Sequence, residues 1–558
     1  MDDRATGMNR RVPATSAARG RGQVLVLFAA SMTLLLLLMA VVVDVSWLWV
    51  NSLRIQRAAD AAALAGAVTL PADPGRGVNL ARKEATKNGY TASADVAVTP
   101  AQDTRNSHRM NVSITAPVNT YFMRLIGFET LMVTRRASAE FSLPIPMGSP
   151  QNYYGLGQFQ EPVGGGTTSV QRPIAAPDGT PLAPQNFWGA MQSQGSPMYQ
   201  GDAYLAGFAE RPSTPNPAYD ADEYYNYAVE IPDGAANGEV WIFDPGFCAT
   251  GASDDGSRLG TGEFWTGPEP LGADTHEPIT ARYELWNTQE TPYDRSDDAL
   301  LADSGTAFRR LALTDPTFRG VNDATVGTCE TLAWHNDWWR LASGLGPGVY
   351  RVHTTSKPAD ASDDQRNSTA VNAFAVWSKA SGGTPRVYGI GAMEAYFPLP
   401  AGRASTFYLA QIDGYYAGRW VDIDLWDPGD TNALSADLEI LTPTATGYTP
   451  ASFYWASLPY GQSEIPDDFA CGPSTSGLVS SIRTSNGTGG SGVFNGQWLR
   501  LCVLLPDSYT GPQPPGEPGA GWWKIRYTMG GTLGAAPSTD LTTWRIAVRG
   551  NPVHLVVS

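Results

Sequence analysis

The first strong pattern along the chain is an uninterrupted apolar run from Val24 to Val43, twenty residues without a charge. As a helix this run is about 30 Å long, which is the thickness of the hydrocarbon core of a bilayer. We therefore predict a membrane-spanning helix over residues 23–50. A cleaved signal peptide is the competing interpretation, but the run exceeds the usual apolar core of such peptides, and no small-residue cleavage site closes it before Asp44.

The outer end of the predicted span carries polar and aromatic residues. Asp44 falls where the helix reaches the outer interface, and Trp47 and Trp49 follow at headgroup depth, where amphipathic rings are favoured. We interpret Asp44 as an interfacial carboxylate; a proton or ion relay is the alternative. Strong helix formers continue to Pro71, so the pattern predicts one helix of nearly fifty residues that starts in the membrane and extends out of it.

A small α+β domain is predicted after this helix, within residues 51–143. The periodicity of residues 78–143 changes several times between the helical and the extended period. In order, it predicts a short helix that ends near Gly89, strands at 95–99 and 109–116, a short helix at 119–127, and a strand at 130–141.

Residues 144–185 lack apolar periodicity. They contain a GGG run and eight prolines. Such a composition is typical of an extended, weakly packed segment. We therefore predict a linker over these residues.

Beyond the linker, three sequence landmarks occur twice in the same order. VWIFDPG at 240–246 recurs as IDLWDPG at 423–429. The other two pairs are 338–341 with 498–501 and 348–355 with 521–528. Three landmarks in one order favour a tandem duplication, and we place the repeats at 186–400 and 401–558.

Each repeat reads as an all-β domain. Its runs are short, β-branched and aromatic, and turn residues separate them about every ten positions, which is typical of a β-sandwich. The sequence VDIDLW alternates with a period of two, as a half-buried strand does. The predicted fold class is a multidomain chain: a transmembrane helix, a small α+β (pilin-like) domain and two tandem sandwiches of jelly-roll type.

Charge divides the chain into two parts. Residues 1–150 carry 16 Lys and Arg against 10 Asp and Glu, whereas the remainder carries 22 against 44. An acidic surface repels phosphate backbones, so we expect no nucleic-acid partner for the second part. The basic tail, residues 1–22, contains five arginines, against two (Arg54 and Arg57) in the twenty residues after Val50. This excess predicts a cytoplasmic N-terminus, and an exported remainder.

A family resemblance rests on RGQ at 21–23, Phe28-Ala29, Asp44 and LRIQRAADAAALAGA at 53–67. These residues resemble the N-terminal anchor of the TadE/TadG-like proteins of the Tad (Flp) pilus assembly machinery. The resemblance continues more weakly through 111–115, 120–127 and 137–141. It implies a membrane component that assembles with other Tad proteins.

Two departures from the family pattern limit what is carried over. Prepilins have a glutamate a few residues after a cleavage glycine, whereas Gly22 is followed by QVLVL, so we expect the N-terminal segment to be retained. Many TadG-like proteins have a von Willebrand A domain with a DxSxS metal site, and this sequence contains no DxSxS. The resemblance therefore implies no integrin-like metal chemistry here.

The DPG tripeptides are predicted to be turns, with Asp accepting backbone hydrogen bonds and Gly supplying a positive φ. A calcium site is the alternative, because carboxylates at Asp424, Asp427 and Asp430, with Asp422 nearby, offer hard oxygen ligands. Beyond this possible Ca²⁺, we predict no cofactor.

Aromatic residues offer a second candidate chemistry. Of the 17 tryptophans, 15 lie at or after Trp188. Most are expected to fill the sandwich cores. In the pairs Trp338-Trp339 and Trp522-Trp523, successive residues point to opposite faces of a strand, so one ring of each pair is a candidate for stacking on a sugar.

Enzyme signatures are absent from the sequence: it has no HExxH, GxSxG, Walker loop or CxxC. The five histidines, at 108, 276, 335, 353 and 554, do not stand at metal-ligand spacing, and His353 occupies a strand position matched by Arg526. We expect no enzymatic activity. Hydrolysis by a carboxylate pair remains the open alternative, because its two acids leave no spacing signature.

Four cysteines fall two in each predicted repeat. In an exported compartment this partition predicts the disulfides Cys248–Cys329 and Cys471–Cys502. Buried free thiols are the alternative.

The sequence as a whole predicts a single-pass membrane protein that contacts lipid through residues 24–50. Its role would be structural, at a Tad pilus or in the cell envelope. The alternative is a surface adhesin or carbohydrate-binding module, with a cell-surface glycan as partner, that reuses the anchor.

Overall fold

The computed structural model describes most of the chain from residue 20 onward. The ranges outside the described residues are 1–19, 71–73, 105–107, 142–144, 164–165, 172–174, 193–197, 199–200, 205–224, 245–263, 266–278, 289–297, 306–307, 310–336, 359–369, 400–403, 430–434, 463, 467–468, 486–492, 531–537, 550–552 and 557–558.

The chain divides into two compact units. Unit 1 contains Met1–Ser142 together with Asn551–Ser558, and unit 2 contains Leu143–Gly550. Unit 2 is therefore inserted between two segments of unit 1.

Among the described residues there are two α-helices, α1 (Gly20–Ala67) and α2 (Pro74–Lys87). The strands, in chain order, are β1 (Ala97–Gln102), β2 (Arg109–Asn119), β3 (Thr130–Phe141), β4 (Tyr153–Tyr154), β5 (Gln158–Val163), β6 (Gly166–Gln171), β7 (Trp188–Gln192), β8 (Asn226–Ile231), β9 (Ala236–Asp244), β10 (Phe264–Trp265), β11 (Ile279–Asn287), β12 (Ala299–Asp303), β13 (Phe308–Arg309), β14 (Asp337–Leu345), β15 (Gly348–Pro358), β16 (Ala370–Ser381), β17 (Arg386–Ile390), β18 (Ala392–Leu399), β19 (Ala404–Gln411), β20 (Trp420–Trp426), β21 (Ser435–Thr444), β22 (Gly447–Pro450), β23 (Tyr454–Ser457), β24 (Ile482–Ser485), β25 (Trp498–Leu504), β26 (Trp522–Gly530), β27 (Ser538–Val548) and β28 (Val553–Val556).

In unit 1, the second half of α1 packs on a four-stranded antiparallel sheet of order β1-β2-β3-β28. Strand β2 alternates between buried and half-buried positions along its length, so one face of the sheet is apolar. The helix buries a stripe of small residues and one isoleucine: Ile55, Ala58, Ala59, Ala62, Ala63 and Ala67. Because the partner side chains are short, the helix can lie close to the sheet.

The prediction for this region is largely confirmed. Helix α1 is 48 residues long and continues from the apolar run into the exposed part of the chain, as expected. The helix α2 ends before Gly89, which has φ +91° and fits the left-handed C-terminal position that glycine favours. The predicted helix at 119–127 is shorter: β2 extends to Asn119, and only a 3-10 turn at Met123–Ile126 follows.

The C-terminal strand β28 was not expected in this unit. It pairs antiparallel with β3, with Val553 opposite Phe141 and Val556 opposite Ser138. The sequence had placed residues 551–558 in the second repeat. The pairing is long-range, and no local pattern distinguishes this edge strand from a strand of unit 2.

Unit 2 has a large sheet of eleven strands, whose main path is β14-β9-β16-β7-β18-β27-β20-β25-β23. Two smaller sheets, β12-β11-β15-β8-β17 and β19-β26-β21-β22, contain most of the remaining strands. One continuous core contains side chains from all three sheets, such as Ile242, Val229 and Ile525. The all-β character predicted for this region is confirmed, whereas the two predicted sandwiches form one compact unit with a shared core and not two separate domains.

Both halves of unit 2 use the same strand pairings in the same register. Trp338 lies opposite Phe243 and Arg340 opposite Trp241, and at the aligned positions Trp498 lies opposite Trp426 and Arg500 opposite Asp424. The match extends to the smaller sheets. There His353 lies opposite Glu284, and Arg526 lies opposite Glu439.

The predicted linker is partly packed structure in the residues that the model describes. Met147 forms backbone bridges to Gly389 and Ala410, and β4 pairs with β16. The buried Gln185 side chain donates to Ser149 Oγ and accepts from the Gly155 amide. These residues cover one face of the large sheet and join strands of the two smaller sheets. The interpretation as a loose arm was wrong for them, because their contacts are made with distant strands and leave no periodic signal.

Candidate functional site

The C-terminal end of the apolar helix segment is joined to the β2–β3 loop by one carboxylate. Asp44 is buried, and its Oδ1 accepts from the amide of Tyr121 at 2.7 Å. Its Oδ2 accepts from the amides of Phe122 and Met123 at 2.9 and 2.6 Å. These amides open the 3-10 turn, whose first N–H groups have no partner within the turn. Asp44 is thus satisfied within the protein, as an interfacial carboxylate should be, and fixes the loop to the helix.

Beyond Asp44, further hydrogen bonds join α1 to β3 towards the C-terminal end of the helix. The Arg135 guanidinium donates to Ser52 Oγ, with 2.8 Å from Nε. One turn further, the Gln56 amide donates to the carbonyl of Arg136. The β2–β3 loop is therefore the part of the sheet nearest to the apolar segment.

The alanine-rich signature of the family resemblance has a packing role. Helices α1 and α2 approach at two glycines: a Cβ added to Gly66 would lie 2.9 Å from the carbonyl oxygen of Gly77, and one added to Gly77 would lie 2.7 Å from that of Gly66. Thr69 Oγ1 and Met110 line the same contact. Larger residues would separate the helices.

Where the structure describes them, the calcium candidates pair with or accept hydrogen bonds from other protein groups. Asp424 is paired with Arg500 through both oxygens, at 2.6 and 2.9 Å. Asp427 has φ +57°, and its Oδ1 accepts from the Gly496 amide at 2.7 Å. Asp430 lies outside the described residues. Within the described part of the chain, no group of three or more acidic, histidine or cysteine residues is arranged to hold a metal ion.

The aromatic pairs do not present the rings that sugar stacking needs. Trp522 and Trp523 are both buried, so neither is exposed as predicted. Trp523 lies in the core between the sheets, and Trp522 packs edge-on against Tyr408. Trp338 is also buried, while Trp339 is partly buried against the core. Trp338 is covered by the segment 144–185, whose Ala175 carbonyl accepts from its indole at 2.9 Å, and strand alternation alone cannot indicate such cover.

A buried polar cluster that sequence reasoning missed lies where the halves of the large sheet meet. Gln192 of β7 donates to Glu394 of β18 at 3.0 Å. The Tyr225 hydroxyl donates to Asp202 at 2.6 Å and also contacts the Thr543 hydroxyl of β27. Burial raises the pKa of Glu394 well above its usual range, and the nearby Asp202 carboxylate adds to this. No spacing rule finds these residues, because they come from five separate segments.

One of the predicted disulfides is present. Cys471 and Cys502 are bonded, with 5.9 Å between their Cα atoms. Arg549 stands beside them: its guanidinium donates to the Cys471 carbonyl at 2.8 Å and to Asp422. Cys248 and Cys329 lie outside the described residues, so that pairing stays a prediction.

His353 is buried, with Nδ1 3.4 Å from Glu284 Oε2. This contact lowers the pKa of Glu284, and Arg282 acts in the same direction. In the second half, Arg526 donates to Glu439 at 2.6 Å at the same register position. The first pair is a cross-strand polar contact and the second a cross-strand ion pair.

These features define a class of protein: a long helix with an exposed apolar first half and a second half packed on a small antiparallel sheet, with a large β-rich unit inserted along the chain between the strands β3 and β28 of that sheet. The helix from Gln23 to Ala67 is long and apolar enough to cross a membrane. Residues 22–69 match the Tad family model, described as "Putative Flp pilus-assembly TadE/G-like". The anchor region is therefore TadE/TadG-like, as the sequence motifs indicated.

No curated protein matches the chain. Among solved structures, the N-terminal CBM22-1-CBM22-2 tandem domain of Xyn10C from Paenibacillus barcinonensis aligns at 6% identity, covering 82% of this chain and 92% of that one, with a TM-score of 0.15. A "putative secreted protein" from Parabacteroides distasonis aligns at 9% identity, covering 70% and 100%, with a TM-score of 0.09. At these scores, neither likeness carries an argument about the fold or the ligand.

Proposed function

We propose that this protein is a single-pass, non-enzymatic structural component of a Tad/Flp pilus assembly or cell-envelope system. The observation that carries the proposal is the anchor: a TadE/TadG-like helix with a fully exposed apolar segment, continued by a helix half that is packed on a sheet. The anchor holds unit 2 at the membrane surface through two chain connections, at residues 142–143 and 550–551.

We place the N-terminus in the cytoplasm and unit 2 on the exported side. Five arginines precede the apolar run, and the Cys471–Cys502 disulfide fits an oxidising compartment. Protease added to intact cells or spheroplasts is expected to digest unit 2 and to leave residues 1–50 protected. A cytoplasmic marker protein controls for lysis. A protected unit 2 would contradict this orientation.

We also propose that residues 186–550 are a duplicated sandwich; residues 551–558, which the predicted second repeat included, belong to unit 1. The shared register supports this, since equivalent arginines occupy equivalent ladder positions: Arg340 stacks over Trp241 at 5.5 Å, whereas Arg500 pairs with Asp424. The halves are joined into one body, and the tandem domains of this proposal are therefore not independent folding units.

The pilus role is tested by deleting the gene and counting surface pili by electron microscopy. Loss of pili, restored by the full chain, supports a role in assembly. Restoration by residues 1–142 and 551–558 joined by a short linker would assign that role to unit 1 alone. Normal pili, together with glycan or peptidoglycan binding by residues 186–558, would favour the adhesin alternative.

A further inference from the structure

The β2–β3 loop presents an apolar tip that the fold does not cover. The tip consists of Tyr121, Phe122, Leu125, Ile126 and Phe128, all of them exposed. Leu125 and Ile126, in the 3-10 turn, are the most exposed at 80% and 73%. A cluster of large apolar side chains on a ten-residue loop is unfavourable in water and indicates a binding surface.

The position of the tip identifies what it binds. Asp44, which holds the amides of residues 121–123, directly follows the last apolar residue of the predicted span, Val43. The Trp47 ring contacts Tyr121 edge-on, with 5.4 Å between centroids. The loop thus stands at the depth of the outer membrane interface, beside the helix that crosses it.

The chemistry of the tip matches that depth. Tyr121 and the two tryptophans Trp47 and Trp49 have apolar rings with a polar group, which favours the headgroup region. Arg124 is exposed between Phe122 and Leu125, where its charge can reach lipid phosphates while the neighbouring side chains enter the acyl boundary.

We infer that the β2–β3 tip inserts into the outer leaflet as a second membrane contact, with a phospholipid surface as its ligand. The inference rests on the proposed membrane anchoring by α1. The apolar surface of the tip then continues that of the helix, and Asp44 acts as the positioning residue that keeps the two together. Two contacts, unlike a single helix, restrict the tilt of unit 1 relative to the membrane plane.

Photocrosslinking of the full chain in phosphatidylcholine vesicles tests this. Benzoylphenylalanine is placed at one position at a time: Leu125, Ile126, Leu38 within the apolar segment, or Thr104. Thr104 is an exposed residue at the opposite end of β2 and is the matched control within the same unit. Alkyne-tagged lipid reports adducts after illumination. We expect lipid adducts at 125, 126 and 38, and none above the dark background at 104.

The outcomes separate the two proposals. Lipid adducts at position 38 but not at positions 125 and 126 would overturn the inferred insertion of the tip and leave the proposed membrane anchor intact. No lipid at 38 would overturn the anchor. Adducts at 125 and 126 to a second copy of the chain in place of lipid would also overturn the tip, and would assign it to a protein interface.

Discussion

At the scale of single residues, the closest fit in unit 1 is the contact between Gly66 and Gly77. Replacing Gly66 by Leu forces the side chain into the Gly77 carbonyl and Ala81, so we expect unit 1 to lose about 1–3 kcal/mol of stability. Thermal unfolding in detergent and hydrogen exchange of the α2 amides measure this. The half-exposed neighbour Ala65→Leu is the control, and an equal loss in both variants would contradict the packing role.

The raised pKa of Glu394 makes the stability of unit 2 depend on pH. Its pKa is raised in the folded state by burial and by Asp202, so folding binds a proton and stability falls as the pH rises above the ordinary carboxyl range. Glu394→Gln keeps the oxygen that accepts from Gln192 and removes the charge. We therefore expect a higher Tm than wild type at pH 8 and no difference near pH 4.

Glu517 is the control for this prediction, because its pKa is shifted in the opposite direction. Although its partial burial acts to raise the pKa, the hydrogen bonds from Lys524, at 2.7 Å, and Tyr408 lower it below its usual value. This carboxylate contributes stability above its unfolded pKa and loses it on acidification. Glu517→Gln should lower the Tm at pH 8. Two substitutions that shift Tm in the same direction at pH 8 would contradict the assignment.

At the scale of elements, the Cys471–Cys502 disulfide closes a loop that contains β24 and most of β25. In the loop-entropy account a bridge of this span, 31 residues, contributes about 2–4 kcal/mol. The double variant Cys471→Ala/Cys502→Ala should unfold at a correspondingly lower denaturant concentration. A reducing agent should move the wild type to the same midpoint and leave the variant unchanged, unless a second bridge at Cys248 and Cys329 also exists.

The C-terminal strand β28 gives a second prediction at this scale. Deleting residues 551–558 exposes the edge of β3, and each ladder hydrogen bond that is lost is worth about 1 kcal/mol. Faster hydrogen exchange in residues 138–141 is the expected result. Deleting only residues 557–558, beyond the strand, is the control. Unchanged exchange after the longer deletion would show that β28 does not pair in solution.

At the scale of the whole molecule, the halves of unit 2 depend on each other. Strand β18 pairs with β7 of the first half and with β27 of the second, Met147 bridges β17 and β19, and the indole of Trp426 donates to the Met198 carbonyl. One core contains side chains of both halves. A cut near residue 400 would expose this seam.

We therefore expect residues 143–550 to unfold in one cooperative transition when expressed alone. Residues 186–400 and 401–550, expressed separately, should aggregate or bind hydrophobic dyes, because each exposes part of the shared core. Calorimetry of the long fragment and dye binding of the short ones measure this. Two well-folded halves with separate transitions would contradict a shared core.

Local patterns were enough wherever the determining physics is local. The apolar run indicates the candidate span, Gly89 follows the end of α2, and the landmarks indicate corresponding strands. The alternation of VDIDLW correctly finds Val421, Ile423 and Leu425 in the core, but Asp422 and Asp424 are buried as well, so the strand is not half-buried as predicted. The family motif could be recognised in the sequence because its small residues are the ones that α1 buries against the rest of unit 1. Each of these features depends on neighbours within a few residues.

The tertiary structure alone decided the features that join distant segments. These are the return of β28 to β3, the packing of Met147 and Gln185, the burial of both Trp522 and Trp523, and the carboxylates that meet at the seam. Asp44 belongs here too, since the sequence placed it at the interface and only the fold supplied the amides of residues 121–123. Such pairings depend on three-dimensional proximity, and a one-dimensional pattern carries no record of which distant residue completes a contact.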